Sequence, residues 1–99
     1  MYYNRALAYN KKGFYDKAIA DYYKALEIDP TYVDAIYNKA LSYEENDYIK
    51  EAIESYQQFL NVASSHYNRE IKIAKQRLNL LLKKQRSQKN SGVRSLDIR

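Results

Sequence analysis

The chain has 99 residues and 11.8 kDa, with 45% hydrophobic and 29% charged side chains and a formal net charge of +5. That is one globular domain rather than a disordered segment. Two Gly and one Pro exclude an all-β fold, which needs turn residues at every hairpin. The absence of Cys excludes disulfides, thiolate metal sites and thiol nucleophiles, and a reducing, cytoplasmic setting is the expectation. No apolar run reaches the roughly 18 residues of a membrane span, and no signal-peptide pattern opens the chain.

In chain order, Tyr2 and Tyr3 followed by Ala6, Leu7 and Tyr9 have helical spacing. Gly13 ends that helix, since it takes the left-handed conformation at no steric cost. Ala18, Ile19, Tyr22, Ala25 and Leu26 form the i, i+1, i+4, i+7, i+8 stripe of a second helix. Asp29-Pro30 stops it, because proline disfavours helical geometry at the preceding residue. A third helix is expected from about Thr31, with Asp47 standing where Gly13 stood. Ala52, Ile53, Tyr56, Phe59 and Leu60 repeat the stripe in a fourth. A fifth is expected over 67–86, with Ile71, Ala74, Leu78 and Leu81 on one face, widened by Ile73, Leu80 and Leu82. Residues 87–99 turn to Lys, Gln, Arg, Ser and Asn and are expected to be a mobile basic tail.

Charge is divided unevenly. Residues 1–66 hold 7 basic and 10 acidic side chains, and residues 67–99 hold 10 basic and 2 acidic. Arg69, Arg77, Lys83, Lys84 and Arg86 make the expected basic patch, suited to nucleic acid, an acidic protein or anionic lipid. A solvated end helix is the simpler explanation.

Sliding the chain by 34 residues aligns Tyr3 with Tyr37, Asn4 with Asn38, Ala6 with Ala40, Leu7 with Leu41 and Tyr9 with Tyr43. It also aligns Ala18 with Ala52, Ile19 with Ile53, Tyr22 with Tyr56 and Leu26 with Leu60. A helix–turn–helix unit of this period, with small residues at Ala6, Ala18 and Ala25, aromatics at Tyr9 and Tyr22, and Pro30 closing it, resembles the tetratricopeptide repeat. The resemblance implies an all-α fold of antiparallel helix-hairpin repeats in a short right-handed solenoid of about five helices. Repeat 1 would cover 1–30, repeat 2 31–64 and a capping helix 67–86, with the tail at 87–99. Tyr2 and Ile36 sit where the family often has Trp, Phe59 replaces a small residue, and Ser64 replaces the closing Pro. The first unit begins inside its first helix. Two units are fewer than the usual three, so the expectation is a piece of a longer array or self-association into a homo-oligomer.

The resemblance also implies a groove lined by the first helix of each unit and occupied by a peptide or partner helix. By position its lining is Tyr3, Asn4, Leu7 and Lys11, then Tyr37, Asn38, Leu41 and Glu45, then Ile71, Lys72 and Lys75. Asn4 and Asn38, one repeat apart, each offer a donor and an acceptor to a peptide backbone; the alternative is that they bond the neighbouring helix. The family's clamp for a C-terminal carboxylate is excluded, because only Asn38 fits it, with Lys72 a near match. Catalysis has little to use. His66 is the only His and has no partner at motif spacing. Glu44, Glu45 and Asp47 lack a calcium-loop spacing, and no Gly-rich phosphate loop is present. No cofactor or metal is implied. The expected function is non-enzymatic protein–protein interaction. Nucleic-acid binding through the basic end is the second expectation and self-assembly through the first helix the third.

Overall fold

The computed structural model describes the backbone of residues 1–97 and the side chains through Ser87. Five α-helices follow one another: α1 (Tyr2–Lys11), α2 (Tyr15–Ile28), α3 (Val33–Glu45), α4 (Ile49–Val62) and α5 (Asn68–Asp97). A single 3₁₀ turn, Ser65–Tyr67, leads into α5. No strand occurs among the described residues. Each helix packs on its predecessor, so α1/α2 and α3/α4 are hairpins joined through α2/α3, and α5 lies against α4.

The two intra-hairpin turns are the same motif. The Phe14 N–H bonds the Tyr9 carbonyl at 2.9 Å and the Gly13 N–H bonds that of Asn10 at 3.0 Å. One repeat later the Tyr48 N–H bonds the Tyr43 carbonyl at 2.9 Å and the Asp47 N–H that of Glu44 at 3.0 Å. Both are paired 6→1 and 5→2 closures around a left-handed residue, with φ +83° at Gly13 and +63° at Asp47. Between the hairpins, the Asp29 carboxylate accepts the Thr31 N–H at 3.0 Å and the Thr31 hydroxyl at 2.7 Å. This local turn delays α3 to Val33, two residues beyond Thr31.

Helices α1–α4 have no side-chain N-cap. Asp16, Asp34, Glu51 and Glu70 stand instead in the first turns of α2, α3, α4 and α5, where a negative charge meets the positive end of the helix dipole.

The core explains the residue sizes. Ala6, Ala18, Ala25, Ala35, Ala40, Ala52 and Ala74 are buried, which lets backbones approach closely, and Tyr22, Tyr56 and Phe59 fill the space between crossings with no exposed surface. Burying each such ring stabilises the fold by roughly 1.5–3 kcal/mol. Phe59 replaces the Ala25 of the first unit, and its ring meets Tyr37 at 5.0 Å and Tyr67 at 6.1 Å.

The last helix differs from expectation in two ways. It begins at Asn68 and its backbone stays helical to Asp97, beyond the expected end at Arg86. The mobile tail expected at 87–99 falls, from residue 88 on, on side chains outside the described residues. The buried face is also narrower. Ala74 and Leu81 are buried, with Ile71, Leu78 and Leu82 packed beside them. Ile73 and Leu80 are 37% and 55% exposed, so they point away from α4 instead of widening its contact. A helix covering a single neighbour buries only one stripe.

Candidate binding groove

Helices α1, α3 and α5 lie side by side, and α2 and α4 back them. Polar bridges tie the row together. The Asn38 amide donates to the Tyr3 hydroxyl at 3.0 Å, and the Ser42 hydroxyl donates to the Asn10 side-chain carbonyl at 2.8 Å, joining α1 to α3. Arg77 forks onto the Glu44 carboxylate, with Nε 3.2 Å from Oε1 and Nη2 on Oε2, joining α3 to α5. The Tyr56 hydroxyl donates to that same carboxylate at 2.7 Å from α4. Lys84 reaches Asp47 at 3.4 Å. A bidentate Arg–carboxylate pair fixes orientation as well as distance, so α5 is held at one rotation against α3.

Along this row Tyr3, Leu7, Tyr37, Leu41 and Ile71 are half-buried. Each packs its inner side on one of the two core clusters and shows its outer side to solvent. Lys11, Glu45 and Lys75 are exposed.

Three of the expected lining residues do not take the expected place. Asn38 uses its amide nitrogen twice, on the Tyr3 hydroxyl and on the Asp34 backbone carbonyl at 2.9 Å. It therefore serves the neighbouring helix rather than offering amide protons to a peptide. Asn4 is exposed and lines an open cleft of about 280 Å³ with Met1, Tyr2, Tyr3, Ile28 and Tyr32. The paired Asn ladder is thus absent: the two amides sit in different surroundings, one spent and one beside a cleft. Lys72 lines a shallow depression with Arg69, Ile73 and Gln76 on α5 alone. The basic patch is also divided. Arg77 and Lys84 are committed to acids of the α3 end, while Arg69, Lys83 and Arg86 are exposed. Glu44 is a counterion for α5, whereas Asp47 is exposed and pairs only loosely with Lys84. Among the described residues no group of three or more His, Cys, Asp or Glu is placed to hold a metal ion.

Sequence reasoning missed Asp34, Tyr67 and Glu70, which bear on the Tyr3 and Tyr37 hydroxyls. The signal was available. Asp34 precedes Tyr37 by three residues and Leu41 by seven, and Tyr67 precedes Ile71 by four, so both continue an existing stripe one turn backwards.

The electrostatics follow from the tyrosines. Burial, reinforced by the nearby Asp34 charge, pushes the Tyr3 hydroxyl up to about 12. Burial raises Tyr37 as well, with Glu70 adding to it. Tyr67 is raised by burial and then by Asp34 and Glu70. These hydroxyls stay protonated at neutral pH and act as neutral donors and acceptors. On the opposite side, Lys39 is buried with its ammonium 3.4 Å from the Gln58 carbonyl oxygen and 4.8 Å above the Tyr23 ring, and burial lowers its pKa.

Two sequence profiles, each described as the tetratricopeptide repeat, match residues 1–32 and 22–54. The chain belongs to the tetratricopeptide repeat family. The first match covers the α1/α2 hairpin, and the second straddles the α2/α3 junction and enters α4. Together with five helices and no strand among the described residues, this gives a helical-repeat solenoid. Tetratricopeptide repeats generally mediate protein–protein interaction and form a non-catalytic family of interaction modules. No curated protein matches the chain. No described helix is long and apolar enough to cross a membrane.

Proposed function

We propose that the α1/α3/α5 face binds a peptide segment of another protein. The observation that carries this reading is the strip of Tyr3, Leu7, Tyr37, Leu41 and Ile71, half-buried and flanked by exposed polar residues. Apolar residues of this kind, held by a packed core behind them and a polar rim around them, make an interface centre. The bridges across α1, α3 and α5 fix the strip before binding, which reduces the ordering cost that association must overcome.

The test is selection of a displayed random dodecapeptide library on the 99-residue chain, followed by measured affinities of the recovered peptides. Leu41→Gln is expected to weaken them about ten-fold, the loss of one well-packed central contact. Lys83→Gln on α5 should leave them unchanged. Circular dichroism melts confirm that both variants fold. Peptides indifferent to Leu41→Gln, or sensitive only to Lys83→Gln, would refute the groove.

A further inference from the structure

We propose that the outward face of α5 is a second interaction surface, and that its partner is an acidic amphipathic helix of another protein. This surface is separate from the groove and does not depend on it.

The face is built on two side chains that the fold leaves uncovered. Ile73 and Leu80 are exposed. They are seven residues apart, so on an α-helix they differ by only about 20° and form one ridge. One position later in each case, Ala74 and Leu81 are buried in the core. Arg69, Ile73, Gln76, Leu80 and Lys83 follow one another at spacings of 4, 3, 4 and 3, the spacing of a seam between two helices. All five are exposed. Arg69, Lys72, Ile73 and Gln76, with Asn68, line a depression of about 370 Å³. Among the described residues nothing folds back over the ridge, since α5 stays one helix to Asp97.

Charge decides what fits there. Residues 68–87 hold seven basic side chains and one acid, Glu70. Glu70 is half-buried, and Arg77 and Lys84 face Glu44 and Asp47. Arg69, Lys72, Lys83 and Arg86 are exposed and have no acidic partner among the described residues. The ridge therefore has cations at both ends. A second copy presenting the same face would set cation against cation. Nucleic acid would meet the charge, but residues 68–87 contain no aromatic ring on which a base stacks, and Ile73 and Leu80 would stay in water. A lipid surface would take up aliphatic side chains, but its hold on a helix scales with buried apolar area, and two such residues supply little. A helix with aliphatic residues against Ile73 and Leu80, an amide against Gln76 and carboxylates at both ends satisfies every group on the face.

The test is selection, on the 99-residue chain, of a displayed library of helices of about 20 residues, long enough to hold the helical form. Recovered helices are expected to carry an apolar pair seven residues apart with Glu or Asp on either side. Their affinity should fall about ten-fold in the Ile73→Gln, Leu80→Gln chain. It should fall by a similar factor in the Arg69→Gln, Lys72→Gln chain, where its salt dependence also flattens. Binding should persist in the Leu41→Gln chain, which sets it apart from the groove. All four α5 substitutions are at exposed positions, and circular dichroism melts confirm that the variants fold. Oligothymidylate and vesicles of phosphatidylserine and phosphatidylcholine are the comparison probes. A selection that recovers no binder dependent on Ile73 and Leu80, helices without acidic residues, or tighter binding of either comparison probe overturns the inference. So does self-association in light scattering that the Ile73→Gln, Leu80→Gln chain abolishes, since it gives the ridge to a second copy. Binding lost only in the Leu41→Gln chain overturns it too, but leaves the groove intact.

Discussion

Replacing Lys39 by Met should stabilise the protein, and the reason lies in a difference between the two repeats. At lag 34, Lys39 corresponds to Arg5 and Ser55 to Asp21. In the first unit the pair is complete: Arg5 forks onto Asp21 at 2.7 and 2.9 Å, and Asp21 is buried. In the second unit the cation is buried more deeply, at 6% exposure against a 54% exposed Arg5 side chain, yet the acid has become the buried Ser55. The Gln58 oxygen at 3.4 Å, the Tyr23 face at 4.8 Å and the charge of Glu54 compensate the buried cation only in part. Exchanging buried charge for a well-packed apolar side chain is worth up to about 4 kcal/mol. The partial compensation already present puts Lys39→Met near the low end, about 1 kcal/mol.

The pH dependence follows from the direction of the shift. Burial lowers the Lys39 pKa in the folded state. Below that folded value both states hold the proton, and the native state carries the full penalty. As pH rises from there towards the unfolded value of about 10.4, the native ammonium gives up its proton and the penalty shrinks. The advantage of Lys39→Met is therefore greatest at neutral pH and falls towards pH 10. Tyrosines with raised values lower the stability of both proteins above pH 10, because the unfolded chain ionises first. That loss cancels in the difference. Urea unfolding of the two proteins at pH 7 and pH 10 measures it. A variant less stable than wild type at pH 7, or a gap that widens with pH, would refute the assignment of Lys39 as an undercompensated buried cation.

Three further outcomes are expected. Tyr22→Phe should leave stability unchanged or raise it by up to about 1 kcal/mol, since its hydroxyl is buried without a hydrogen-bond partner. Tyr56→Phe, at the equivalent position, should lose about 2 kcal/mol with the hydrogen bond to the Glu44 carboxylate; both are read from denaturant melts, and equal effects would contradict the structure. Asp47→Gly should gain about 1 kcal/mol by relieving a left-handed non-glycine residue, because the exposed pair with Lys84 that it gives up is worth little; an unchanged melting temperature would count against this.

Much of the fold was legible because it depends on local signals. The lag-34 identities gave the two hairpins, Gly13 and Asp47 marked their turns, and Pro30 separated them. The residues proposed to line the groove come from the same register. The 3₁₀ turn at Ser65–Tyr67 has no counterpart in the first unit, so the repeat offered no guide to it. The exposure of Ile73 and Leu80 was hidden for a related reason. Periodicity shows which side of a helix is apolar, but not which half of a wide apolar side finds a neighbour. Rotation decides that, and it depends on contacts with other helices, the Ala74 and Leu81 stripe on the core and Arg77 on Glu44 33 residues away. The engagement of Asn38 by Tyr3, 35 residues away, was equally beyond local pattern.

Where the two units diverge, the changes follow what each unit packs against. Asn10 in the first accepts a hydroxyl from Ser42 of α3, and its counterpart Glu44 accepts the guanidinium of Arg77 from α5. Ala25 in the first becomes Phe59 in the second, and Phe59 meets Tyr67 at the entrance to α5. Tyr22 packs beside Tyr3 with its hydroxyl unpartnered, whereas Tyr56 joins the network that anchors α5. The second unit is thus fitted to α5 through charge, ring size and hydrogen bonding together. Each of those fittings also positions the groove. Phe59 sets Tyr37 and Tyr67 in one aromatic wall, and the Glu44–Arg77 pair joins α5 to α3.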